Sequence, residues 1–301
     1  MRDLNLKVKE IISETFNINK ENINIDFIDH SILDRNYVYK FNLNNKEYVI
    51  KISYSHEKWS NEINVLNLLI DNYFVPNILS YGDKYNLNYI IMEKFPGYNL
   101  NDKIHEFSKK KQLKILCEIG ENLALIHSEG EYYYYGWNKS IEESSLIETR
   151  KKKDKRIIEK IKNLNFPEVE IVNKGIEILN SDRYNLKELT PKLTHKDFSL
   201  RNILVDNRGE ITGIIDYEHS EPEDPSLDIC SMFHTNILDD ELYFNSFKKG
   251  YERILKFPEN FLKNRRYYMV NTGLYLYGRF SDKGISAKKR GIELIKNSLN
   301  Y

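Results

Sequence analysis

Apolar residues in the opening segment fall at Leu4, Val8, Ile11 and Ile12, a three-to-four-residue rhythm that predicts an amphipathic helix. The rhythm then shortens. Tyr37 to Leu43 and Glu47 to Ser53 read as strands, and the Asn44-Asn45 pair between them supplies hairpin turn chemistry. Helical spacing returns with Trp59, Ile63, Leu66 and Ile70, from His56 to about Asn72, before a second strand pair at Ile78 to Tyr81 and Asn88 to Glu93. Residues 1–95 thus read as strands with one embedded helix, an α+β arrangement. After Phe95-Pro96-Gly97 the pattern turns helical. Leu116, Ile119, Leu123 and Ile126 mark a long helix ending near Ser128, and the basic run from Arg150 to Lys162 reads as a solvated helix face. Two short apolar runs, Ile203 to Val205 and Ile211 to Ile215, flank a polar turn at Asn207 and Gly209, and the chain beyond Pro225 is again mostly helical. The domain boundary is drawn at the Pro96-Gly97 step, giving residues 1–95 and 96–301.

Composition narrows the class. The 301 residues carry 45 Lys and Arg against 45 Asp and Glu, a balance that argues against a protein built to clamp nucleic acid. Two cysteines cannot form a disulfide scaffold. The charged N-terminal stretch lacks the apolar run of a signal peptide, and no run approaches the roughly 20 apolar residues that span a bilayer. A cytoplasmic chain without membrane, nucleic acid or obligate protein partner is expected.

The chemistry concentrates in Leu193-Thr-His-Lys-Asp-Phe-Ser-Leu-Arg-Asn-Ile-Leu-Val205 and Gly213-Ile-Ile-Asp216. Phosphoryl transfer asks a protein mainly for positioned charge: a carboxylate to accept the hydroxyl proton, and hard oxygen donors for Mg²⁺. Asp197, Asn202 five residues later, and Asp216 at the end of an apolar run supply that set. Loop residues making Asx turns are the plainer reading of the same three. A second element favours the chemical one. Glu47-Tyr-Val-Ile-Lys51 ends a strand in a lysine, and a helix bearing Glu57 and Glu62 follows at once. Kinases place such a lysine on the α- and β-phosphates and orient it with a helix glutamate. Glu62, beside the buried stripe, is the better candidate and Glu57 the fallback.

These residues together resemble the aminoglycoside phosphotransferase family, within the wider protein-kinase-like fold. The resemblance runs from about Asn36 past Asp228. It is carried by Tyr48-Val-Ile-Lys51, Glu62, Ile90-Ile-Met-Glu-Lys-Phe-Pro-Gly97, His195-Lys-Asp-Phe-Ser-Leu-Arg-Asn202, Ile214-Ile-Asp216 and Asp224-Pro-Ser-Leu-Asp228. It implies a bilobal fold: a small antiparallel-sheet lobe with one key helix, 1–95, that binds nucleotide, and a larger, mainly helical lobe, 96–301, for catalysis and substrate. It implies Asp197 as catalytic base, Asn202 and Asp216 as Mg²⁺ ligands, and Lys51 as the anchor for the phosphates of ATP or GTP. Met92 would lie behind the base, with main-chain groups of Glu93 and Phe95 on its edge, while His195 and Asp228 would support the catalytic loop. Two departures stand out: the hairpin around Ser31 to Tyr39 has no glycine, and Lys196 occupies a place usually taken by a small residue.

Charge suggests the acceptor. Asp216, Glu218, Glu221, Glu223, Asp224, Asp228, Asp239, Asp240 and Glu241 fall in one window that has no Lys or Arg. Such a field would draw in a hydroxylated polycation, with Glu218, Glu221, Glu223, Asp239 and Asp240 as substrate contacts. Helix-dipole stabilisation is the plainer reading of Asp239, Asp240 and Glu241. The expected activity is transfer of a γ-phosphoryl group to a hydroxyl of an aminoglycoside, conferring resistance. Asp216-Tyr-Glu-His-Ser220 also looks like the choline and ethanolamine kinases, for which Tyr267, Tyr268, Tyr275 and Tyr277 could form an aromatic cage. Macrolide or sugar kinases and a non-catalytic kinase-like module complete the alternatives.

Overall fold

Asn44 and Asn45 both adopt left-handed backbone angles (φ 51° and 63°), the geometry that lets a two-residue turn follow the twist of its strands. The turn joins β2 (Asn36–Leu43) to β3 (Lys46–Ser53) in continuous antiparallel register from Asn36 opposite Ser53 to Leu43 opposite Lys46. Tyr85 and Asn86 repeat the device (φ 57° and 60°) between β4 (Ile78–Lys84) and β5 (Leu87–Glu93). With β1 (Ile25–His30) the strands form a five-stranded antiparallel sheet in the order β1-β2-β3-β5-β4. These features come from a computed structural model that describes residues 2–30, 36–137, 144–162, 164, 168–279 and 285–299. Of the glycine-free stretch from Ser31 to Tyr39, residues 31–35 lie outside the described residues.

The chain divides into two compact units: Met1–Lys103 with Arg201–Ser220, and Ile104–Leu200 with Glu221–Tyr301. In the first, α1 (Arg2–Phe16) buries Leu4, Val8, Ile11 and Ile12 in the core that holds Tyr39, Phe41, Ile50, Ile52 and Ile91 of the sheet. The helix α2 (His56–Leu68) begins at Ser55, whose side chain accepts the Lys58 N–H. Segment 201–220 joins this unit through sheet pairing: β6 (Tyr98–Asn99), β8 (Ile203–Val205) and β9 (Ile211–Ile214) form a three-stranded sheet in the order β6-β8-β9. Close approach fixes two glycines there. A Cβ at Gly97 (φ 109°) would stand 2.2 Å from the Val205 carbonyl oxygen, and one at Gly213 would stand 2.2 Å from the Phe95 ring.

The second unit is mainly helical. It contains α4 (Lys109–Ser128), α5 (Leu146–Lys162), α6 (Val169–Asp182), α7 (Ser226–Met232), α8 (Glu241–Tyr251), α9 (Glu259–Lys263), α10 (Arg265–Arg279) and α11 (Ile285–Ser298). The short α3 (Leu100–Lys103) closes the first stretch of the first unit. A two-stranded ladder pairs β7 (Lys192–Thr194) with β10 (Glu221–Glu223). The reading of α5 as a solvated face holds for Lys151, Lys152, Lys155, Arg156, Lys160 and Lys162, which are exposed, and is corrected at Arg150 and Asp154, which are buried and each meet an opposite charge within the unit. Among the described residues no helix is long and apolar enough to cross a membrane.

Candidate active site

The strand alternation of β3 brings Lys51 inward, 7% exposed, and one turn pattern of α2 brings Glu62 to meet it. The Lys51 ammonium lies 2.8 Å from Glu62, 2.7 Å from Asp216 and 3.1 Å from Glu218. Glu57, the fallback partner, is exposed. Burial works against the lysine charge, but Asp216, Glu62 and Glu218 outweigh it and hold the ammonium well above its ordinary value. Burial pushes Glu62 up to about 7 against the pull of Lys51, with Asp216 adding repulsion. Glu218 is held below its usual value: burial opposes ionisation, and Lys51 and Lys58 prevail.

Asp216 follows β9 in a left-handed conformation (φ 71°). Its segment is tied back to Asn202, since the Ile215 N–H donates to the Asn202 carbonyl at 2.9 Å. Glu218 accepts from Asn36 and from Lys58 at 3.0 Å, so it serves as a hub inside the first unit. One oxygen from each of Glu62, Asp216 and Glu218 can lie within 4.8 Å of the others, a separation compatible with a shared cation. Met92 is buried in β5, opposite Val49. Glu93 is exposed, with its N–H on the Asn77 carbonyl, and Phe95 packs over Gly213.

The second unit carries the remaining candidates. His195 is fully buried, and its Nδ1 accepts the Asp197 N–H at 3.3 Å. Asp228 accepts the main-chain N–H groups of His195 and Lys196, both at 2.7 Å, and meets His127 Nε2 at 3.0 Å. The carboxylate therefore fixes the backbone just before the half-buried Asp197. Lys196 has a left-handed backbone (φ 65°), and its ammonium reaches Glu221 at 2.5 Å instead of pointing freely into solvent.

The acidic window is not an open anionic floor. Glu223 pairs with Arg150 at 2.7 Å and with Lys153; Glu221 pairs with Lys153 at 3.0 Å and with Lys196. Asp239 takes both terminal nitrogens of Arg290 at 2.8 and 2.9 Å, and Asp240 caps α8 through the Leu242 N–H. The field expected from the window counted acids that lie together in sequence and missed cations supplied from elsewhere. Tyr267, Tyr268 and Tyr277 are fully buried, with hydroxyls on Asp154, Asp224 and Glu168, so these three do not form an open cage. Sequence reasoning missed Lys58, Asn61, Arg150 and Lys153. Helical spacing from Glu62 could have flagged Lys58, four residues before it, whereas no such spacing points to the others.

The phosphotransferase enzyme family (APH) is matched over residues 34–259. The chain belongs to that family. This phosphotransferase has the fold of several solved aminoglycoside phosphotransferases. A thermostable mutant of aminoglycoside phosphotransferase APH(4)-Ia, in apo form, matches with TM-score 0.74 and 16% identity over 97% of this chain and 98% of that one. Spectinomycin phosphotransferase APH(9)-Ia, in complex with ADP and spectinomycin, matches with TM-score 0.71 and 15% identity over 98% and 93%. ADP-bound APH(2'')-Ib gives 0.59 and 21% over 95% of both chains. At these identities the likeness is one of fold. No curated protein matches the phosphotransferase.

Proposed function

We propose that this phosphotransferase moves the γ-phosphoryl group of ATP or GTP to a hydroxyl of a small molecule, with an aminoglycoside as acceptor. The observation that carries the reading is the buried Lys51 ammonium held by Glu62 and Asp216. A lysine kept charged and aimed in this way suits a triphosphate, and the carboxylates beside it offer the hard oxygen donors that Mg²⁺ prefers. That carboxylate set fits the ion; Asp216, with the Asn202 that the family resemblance assigns beside it, would hold it. When bound, it supplies charge neutralisation at the phosphate oxygens.

The chain's own groups do the rest. Lys51 binds the α- and β-phosphates, and Glu62 orients it. Met92 backs the base while main-chain groups of Glu93 and Phe95 read its edge. Asp197 accepts the acceptor hydroxyl proton at its carboxylate as the oxygen attacks phosphorus. Asp228 and His195 hold the backbone of the loop that carries Asp197.

The aminoglycoside reading draws support from related folds: an APH(4)-Ia mutant was solved with AMP-PNP and hygromycin B, and APH(9)-Ia with spectinomycin. A host carrying such an activity would gain resistance. The test is nucleotide consumption with Mg²⁺ against aminoglycosides, choline, macrolides and sugars, with mass analysis of the acceptor. The expected product is a singly phosphorylated aminoglycoside. Turnover with choline alone would overturn the antibiotic reading.

A further inference from the structure

Lys58, Asn61 and Glu62 stand three and four residues apart, on one face of α2. Each meets part of the constellation built around Asp216. Glu62 takes Lys51; Lys58 reaches Glu218 at 3.0 Å and His219 Nε2 at 2.8 Å. Asn61 donates its carboxamide N–H groups to the carbonyls of Glu218 at 3.1 Å and Ser220 at 2.8 Å. Asparagine is a poor helix-interior residue, because its side chain competes for nearby backbone groups. Its use here is tertiary: one amide spans two carbonyls of a loop 157 and 159 positions away. That loop has something to restrain, since Asp216 sits in a left-handed conformation that survives only where the surroundings over-determine it.

We propose that Asn61 is a positioning residue for Asp216: by binding the Glu218 and Ser220 carbonyls it locks the metal-binding loop to the helix that also orients Lys51. One helix face then sets both the lysine and the carboxylate, and a loss of register in either propagates to the other. The inference rests on the kinase reading given above for its catalytic consequence, although the locking itself does not.

Asn61→Asp keeps the shape, removes the N–H donors and turns a carboxylate towards two carbonyls. Asn64→Asp makes the same charge change on the exposed side of α2 and is the control. Hydrogen exchange should show protection lost at residues 217–220 in Asn61→Asp, with the sheet amides unchanged. The value of kcat should fall about 10- to 100-fold, with KM for the acceptor within about twofold. Asn61→Ala gives the same readout should the aspartate variant fold poorly. Unchanged protection at 217–220 would overturn the proposal, as would a uniform loss of protection across α2 and the sheet. Were no acceptor phosphorylated by the wild-type chain, hydrogen exchange would still decide the locking while the function failed on its own.

Discussion

Each compact unit contains a cluster of ionisable side chains, and the two clusters are balanced differently. In the first unit, the carboxyl groups of Glu62, Asp216 and Glu218 face the ammonium groups of Lys51 and Lys58, so acids outnumber cations three to two. Glu62 is pushed up to about 7 and Glu218 is held low, a separation produced by burial and by the shared lysine. In the second unit, Glu221 and Glu223 face Arg150, Lys153 and Lys196, and positive charge is in excess. Burial alone would raise Glu223, but Arg150 and Lys153 pull it down to about 2. A cluster short of cations suits a metal-bound polyphosphate; a cluster with surplus cations holds acids in place. Acidic residues near a catalytic motif are therefore a poor guide to substrate charge until their partners are known.

The largest expected effect separates chemistry from structure. Asp197→Asn should lower phosphoryl transfer by about 10³-fold while leaving nucleotide affinity and Tm near wild type, as steady-state assays and calorimetry would show. Breaking the second cluster should do the reverse. Glu223→Gln takes the carboxylate from the buried Arg150 while Lys153 keeps Glu221, and denaturant unfolding at neutral pH should register a loss of about 3–5 kcal/mol. The same acid gives the comparison a pH signature. Its folded value lies below the ordinary 4.5, so its contribution is present above pH 4.5 and is lost as pH falls towards 2. Urea midpoints of wild type and Glu223→Gln should converge over that window; parallel curves would remove the assignment. A smaller change sharpens the first unit. Gly213→Ala places a Cβ against the Phe95 ring, and displacement of that ring should weaken nucleotide binding by about 1–2 kcal/mol in titration calorimetry.

What the sequence shows depends on whether partners are local. The hairpin around Asn44-Asn45 is legible because both the turn residues and the strand alternation are short-range signals. The meeting of Lys51 with Glu62 was legible from a strand ending in lysine and a helix that follows at once, and the structure brings the two to 2.8 Å. Strand β1 was not read: Asp26, Asp29 and His30 dilute its apolar alternation, and pairing with β2 supplies what propensity lacks. The burial of Arg150 was hidden for another reason. Its partner Glu223 lies 73 positions away, so a basic run looked solvated and an acidic run looked open. Asn61 escaped notice because two of its helix neighbours, Asn64 and Asn67, are ordinary exposed asparagines.

The contrast between the clusters is tested most directly by nucleotide titration with and without Mg²⁺ in two variants, Asp216→Asn and Glu223→Gln. Mg²⁺ should tighten nucleotide binding in wild type and in folded Glu223→Gln alike, and that enhancement should vanish in Asp216→Asn. Equal Mg²⁺ enhancement in Asp216→Asn and wild type would contradict the assignment of the first cluster as the metal-nucleotide site.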